Sequence, residues 1–180
     1  MSVPTLYLDK IQQVAKVSEG KAKKLMETCV WCLVSSKHAN GVSLDVIDDT
    51  ATVPYLLSWP KQLDFEAINR SVNQDDATEE GAEAIALLVA VDRTDFTAVE
   101  RATTSTGIDY WLGYKDNLNN PFKRAGRLEI SGILKESDTN TVKARTKTKL
   151  AQTLPSDSTF SVYVVIVEFS RPYATMVMKK

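Results

Sequence analysis

The sequence predicts an α/β or α+β fold, a mixed sheet flanked by helices and preceded by an N-terminal helical and hairpin extension. Three observations carry this. The 180-residue chain, with 43% hydrophobic and 25% charged residues, has an ordinary globular composition and is large enough for one core. From Asp75 onward, segments of helical and strand period follow in the order helix, strand, strand, strand, helix, strand, with one more strand at the end. Helices interleaved with strands in this way bury their apolar stripes on a sheet. Residues 1–74 are read as a helical segment and hairpin packed on the core, and residues 75–180 as the α/β core. No internal repeat or low-complexity linker separates them.

Taken in order, "LYLDKIQQVAKVSEGKAKKLMETCVWCLVSS" has apolar residues at helical spacing, with a break expected near Gly20. "GVSLDVI" and "TVPYLLSW" are β-branched and apolar runs separated by "DDTA", a hairpin signal that Pro60 closes. "KQLDFEAINRSVN" fits neither period. "DDATEEGAEAIALLVAVDR" opens with a capping Asp75 and an acidic first turn. It then presents Ala82, Ile85, Ala86, Leu88 and Val89 on a broad apolar face, which predicts a buried helix. "DFTAVERAT" and "GIDYWLGY" are strands, and "KDNLNNPFK" is a loop. "RAGRLEISGIL" alternates, with Arg127, Glu129 and Ser131 on one face and Leu128, Ile130 and Gly132 on the other. "SDTNTVKARTKTKLAQT" is a helix, capped by Ser137 or Asp138 or starting nearer Thr141, and Pro155 ends it. "TFSVYVVIVEFS" has the composition of a central strand, and "YATMVMKK" is the last.

Composition closes several functional classes. There is no run of about 18 apolar residues and no basic-then-apolar leader, so neither a membrane span nor a secretory signal is indicated and a cytoplasmic protein is expected. His38 is the only histidine, which excludes most histidine-based catalysis, and no Gly-rich phosphate loop or G-x-S-x-G elbow is present. Cys29 and Cys32 form a C-x-x-C inside an apolar helical run, where reduced cysteines packed as small hydrophobes are expected. Trp31, Trp59 and Trp111 share no spacing and read as core or interface anchors. The net charge of −1 hides a split: residues 1–100 hold 9 Lys+Arg and 16 Asp+Glu, whereas residues 114–150 hold 9 and 4. Because screening confines exposed charges to about 8–10 Å, that basic segment can meet phosphates whatever the total charge is.

One aspartate stands inside the apolar, aromatic stretch "TGIDYWLG". Asp is depleted in strands, so Asp109 either faces water or has a task. Glu129 occupies a comparable place in the following strand. If the two strands are neighbours and both acids share a face, their carboxylates converge on one hard cation such as Mg²⁺, which is held by one or two carboxylates and waters. Glu168, near the end of the buried strand, either supports such a site or faces solvent.

This element order, with Asp109 in "GIDYW" and Glu129 in "RLEIS", resembles the PD-(D/E)xK nuclease superfamily over residues 75–170. The paired stretches are also similar to those of small bacterial proteins with no assigned activity. The resemblance implies a restriction-endonuclease-like core, Mg²⁺ or Mn²⁺ held by Asp109 and Glu129, and hydrolysis of phosphodiester bonds in DNA or RNA. It also implies that Glu80 or Glu83, on the preceding helix, matches an acid that some members place near the metal. The departure is Ser131, where the family has a lysine two residues after the acid; serine cannot supply an ammonium. The helix "TVKARTKTKLAQ" offers Arg145, Lys149 and Gln152 on one face, so Lys149 or Arg145 would reach back while Lys147 points elsewhere. Lys143, Arg145, Lys149 and Gln152 are the expected nucleic-acid contacts. A domain this small is expected to act with a protein partner that supplies targeting. The alternative is a catalytically inactive nuclease-fold protein, a binding or assembly subunit whose acidic first hundred residues contact a basic partner.

Overall fold

The computed structural model describes residues 2–156 and 160–180. Among these residues the chain forms five α-helices and one eight-stranded mixed sheet. The elements are β1 (Thr5–Tyr7), α1 (Ile11–Ala15), α2 (Glu19–Ser35), β2 (Ser43–Asp48), β3 (Thr52–Ser58), α3 (Phe65–Ser71) and α4 (Gln74–Arg93). They continue with β4 (Phe96–Arg101), β5 (Tyr110–Tyr114), β6 (Gly126–Ile133), α5 (Val142–Gln152), β7 (Val162–Glu168) and β8 (Tyr173–Lys179). The spatial order is β1-β3-β2-β8-β7-β6-β5-β4. The β1/β3, β2/β8 and β6/β7 pairs are parallel and the rest antiparallel.

The N-terminal hairpin extends the sheet that the later strands begin. β2 pairs β8 in parallel, Asp45 opposite Tyr173 through Asp48 opposite Met176. Two expectations are corrected here. Residues 5–7 are not the start of a helix but a strand, because they find an open sheet edge in β3. The helical break lies at Lys16–Ser18, not at Gly20: Lys16 adopts the left-handed conformation (φ 56°), and Ser18 Oγ then accepts from the Lys21 N–H to start α2, which runs through Gly20. "KQLDFEAINRSVN" contains α3, which Asp64 caps by accepting from Ala67 N–H.

Helix α4 carries the long apolar face anticipated for it, with Ala82, Ile85, Ala86, Leu88 and Val89 all buried. Its cap is Asn73 rather than Asp75, since Asn73 Oδ1 accepts from the amides of Asp75 and Asp76. α2 and α4 pack together on one face of the sheet over the larger core, which includes Leu33, Leu44, Tyr55, Ile85, Leu128, Ile130, Val165 and Phe169. α5 covers the opposite face over a smaller core of Ile108, Ile133, Val142, Val162, Val164 and Ile166. α5 is capped by Thr141, whose side chain accepts from Ala144 N–H, and a short 3₁₀ turn containing Pro155 follows it. Thr159, at the head of "TFSVYVVIVEFS", lies outside the described residues.

The alternation of β6 holds. Arg127, Glu129 and Ser131 stand beside Val162, Val164 and Ile166 of β7 under α5, while Leu128 and Ile130 face α4. Cys29 and Cys32 are buried in α2, and burial pushes both thiols up, Cys32 to about 12, so they behave as small apolar groups. No helix among the described residues is long and apolar enough to cross a membrane.

Candidate active site

The site arises where two strands part. β5 pairs β6 only over Tyr110–Leu112, opposite Gly126–Leu128, whereas β6 runs on to Ile133 against β7. The edge of β6 that faces β5 therefore lacks a strand partner past Leu128. Amides there need acceptors. Asp109, the residue just before β5, takes the first, its Oδ2 accepting from Ile130 N–H at 2.9 Å. Glu79, from the first turns of α4, takes the next, its Oε2 accepting from Gly132 N–H at 3.1 Å.

Two glycines make this arrangement possible. A Cβ on Gly132 would stand 2.2 Å from the carbonyl oxygen of Thr78, so α4 reaches β6 this closely only over a glycine. Gly107 has φ +70°, and a Cβ there would stand 1.7 Å from the carbonyl oxygen of Gln152. The turn that delivers Asp109 is thus seated against the end of α5, which ties Asp109 to the helix that carries Lys149.

A cavity of about 260 Å³ opens in the gap, lined by Lys21, Glu79, Glu80, Glu83, Arg101, Asp109, Ile130 and Lys149. Glu129 is 5% exposed, and the Asp109 charge acts on its carboxyl. Lys149 Nζ donates to Glu129 Oε1 at 2.7 Å. Arg145, one turn earlier on the same helix, donates to Ser131 Oγ at 2.9 Å. Burial, then the neighbouring Asp109 charge, raise the Glu129 carboxyl to about 7 against the pull of Lys149.

The other anticipated residues are distributed unevenly. Glu83 is buried, held by Lys21 Nζ at 2.9 Å and Arg101 at 3.4 Å, and it accepts a short hydrogen bond from the Tyr110 hydroxyl. Burial and the Glu83 charge raise the Tyr110 hydroxyl well above its usual range. Glu80 lines the cavity and pairs with Lys24 at 2.5 Å. Lys143 and Gln152 are exposed and do not line the cavity, as is Lys147. Arg127, on the same strand face as Glu129, is buried, and its guanidinium donates to the carbonyls of Phe160 and Thr153 and to Ser156 Oγ. Glu168 does not face solvent. It is fully buried and accepts from the amides of Glu136, Ser170 and Arg171 and from the Ser170 hydroxyl.

Four side chains at the site escaped the sequence reading: Lys21, Glu79, Arg101 and Tyr110. Arg101 pairs in register with Tyr110 across β4 and β5, and its Nη2 lies 3.3 Å from Asp109 Oδ1, so strand pairing gave a usable signal for it. Glu79 lies four residues before Glu83 on one helical face, which is also legible. Lys21 reaches the site only because α2 packs on α4, and nothing local announces that.

Comparison with known proteins returned no match: no family model, no curated protein and no solved structure is similar to this chain at a significant level. Among the described residues, no group of three or more His, Cys, Asp or Glu side chains is arranged as a metal cluster. The donor set that the Asp109–Glu129 pair would offer a cation is two carboxylates. It is hard and oxygen-only, and it leaves the remaining positions of the shell to waters or phosphate oxygens, as Mg²⁺ and Mn²⁺ accept.

Proposed function

We propose that this chain is a metal-dependent nuclease-like protein of PD-(D/E)xK type, hydrolysing phosphodiester bonds in DNA or RNA. The observation that carries the reading is that Asp109 and Lys149 line one cavity while the buried Glu129 beside it is bonded by Lys149 Nζ and feels the Asp109 charge. Two acids brought this close, with a proton retained on one near neutral pH, form a place where a divalent cation gains what the proton loses. The run from α4 through three antiparallel strands to α5 and a parallel β7 also supports a restriction-endonuclease-like core.

In this reading Asp109 and Glu129 hold Mg²⁺ or Mn²⁺. When bound, the metal would supply an oriented water and neutralise charge on the phosphodiester. Lys149 sets its ammonium beside that pair, in the role the usual strand lysine would fill, and Arg145 brings a second positive group along the same helix face. Arg101 holds Asp109 and Glu83 together, and its guanidinium lies 4.9 Å from the Tyr110 ring centre. Glu80 is the counter-charge to Lys24, and Glu83 is the counter-charge to Lys21 and Arg101, the two cations that line the cavity. The basic 114–150 segment would add phosphate contacts without sequence specificity, and a protein partner would supply targeting.

A second reading, an inactive binding or assembly subunit of the same fold, is favoured by one feature. Every acid of the cavity is already bonded to a cation of this chain. Cleavage of supercoiled plasmid and of single-stranded RNA, with Mg²⁺ or Mn²⁺, separates the two. The wild type is expected to cleave one of them, and Asp109→Asn, which keeps an acceptor for Ile130 N–H, and Lys149→Met are each expected to cleave about a hundredfold more slowly while folded. Absence of cleavage by the wild type, or cleavage untouched by Asp109→Asn, would remove the nuclease reading.

A further inference from the structure

Glu79 is held by donors that do not need it to be a glutamate. Its Oε1 accepts from the Ser131 hydroxyl at 3.1 Å and lies 3.6 Å from Arg145 Nη1; its Oε2 accepts from Gly132 N–H at 3.1 Å. The donors are fixed: Ser131 is fully buried, Gly132 is in the sheet, and Arg145 is oriented by Asn140 Oδ1 at 2.9 Å. The Glu79 side chain, by contrast, is 51% exposed. Two fixed donors and a neighbouring guanidinium thus hold the two oxygens of a half-solvated anion, the pattern in which a phosphate presents two of its oxygens.

Glu79 also stands between two cavities. One is the 260 Å³ cavity just described; the other, of about 440 Å³, is lined by Gln74, Asp75, Thr78, Glu79, Gly132, Lys135, Asn140 and Arg145 among others. With Glu79 swung out the two would join into one track past the β6 edge, and a phosphate seated on the vacated donors would be flanked by Lys149 on one side and Lys135 on the other.

We propose that Ser131, Gly132 N–H and Arg145 form a subsite for a phosphodiester group of a nucleic-acid strand, which Glu79 fills in the free protein and yields to the strand. The proposal rests on the nuclease-like reading for its ligand class. Asp75 and Glu79, the acids of the outer cavity, set the repulsion that an incoming phosphate must overcome.

The test needs neither metal nor turnover. Metal-free ¹⁵N-labelled protein is titrated with inorganic phosphate and with a dinucleotide phosphodiester while the Gly132 amide resonance is followed. Both probes are expected to shift it in the wild type, to bind about tenfold tighter in Glu79→Gln and Glu79→Ala, and to lose the effect in Arg145→Met with the spectrum otherwise folded. A Gly132 resonance unmoved in both Glu79 variants, a shift indifferent to Arg145→Met, or binding of inorganic phosphate with refusal of the dinucleotide would overturn the proposal. Failure of plasmid and RNA cleavage with this titration positive would refute the nuclease reading alone; cleavage with the titration negative would refute this subsite alone.

Discussion

Glu129 and Glu168 are both buried glutamates on adjacent parallel strands, yet they are kept in opposite ways. Glu168, at the end of β7, is wrapped by three backbone amides and a serine hydroxyl. Its job is to close the turn into β8, and its charge is balanced by donors the fold cannot withdraw. Glu129, in mid β6, has Lys149 as its charged partner and a like acid beside it, so its ionisation is contested. The difference teaches that burial alone does not mark a functional acid; the marker is a buried acid whose neighbours leave its charge unsettled.

The largest expected contrast is in catalysis. Glu129→Gln should slow metal-dependent cleavage about 10³-fold, the scale of a several-kcal/mol electrostatic loss, while Glu168→Gln should leave the rate per folded molecule unchanged. Equal losses in the two variants, measured on samples matched by circular dichroism, would break the comparison. Next in size is stability, where the order reverses. Glu168→Ala leaves three part-buried amides without their acceptor and should cost about 3 kcal/mol in urea unfolding at pH 7, against less than about 1 kcal/mol for Glu129→Gln.

A smaller contrast lies in pH dependence. The Glu129 carboxyl is raised from 4.5 to about 7, so the folded state holds this proton where the unfolded chain has released it. That contribution is complete below about pH 4.5 and is lost as pH rises through about 7, on the order of 3 kcal/mol. Unfolding curves between pH 5 and 8 should show the decline in wild type and in a folded Glu168 variant, and should lose it in Glu129→Gln. The smallest effect belongs to the wet side of α5. Lys143→Ala should weaken nucleic-acid binding evenly across sequences and lower the salt dependence by about one unit, without touching the cleavage step at saturation.

Much of this was legible in the chain. Period-2 alternation placed Glu129 and Ser131 on one face of β6, and helical spacing put Arg145 and Lys149 together, because both patterns are local and rigid. Asp109 was conspicuous as an acid in an aromatic stretch. What escaped depended on distant packing. Lys21 needs α2 on α4, Glu79 matters only because Gly132 lets α4 approach the strand, and β1 needs the open edge of β3 some fifty residues away. Glu168 was visible as a residue but not as a turn-closing acid, since its amide donors come from loops whose conformation no periodicity encodes.

The central claim is that Asp109 and Glu129 form a cation-binding pair. Calorimetric titration with Mn²⁺ at pH 7.5, on the wild type and on Asp109→Asn, tests it most directly. The account predicts one site in the wild type, binding that strengthens as pH rises through about 7 with release of a proton, and no binding in Asp109→Asn. A folded wild type that takes up no Mn²⁺ at millimolar concentration, or an Asp109→Asn protein that binds it equally well, would contradict the account.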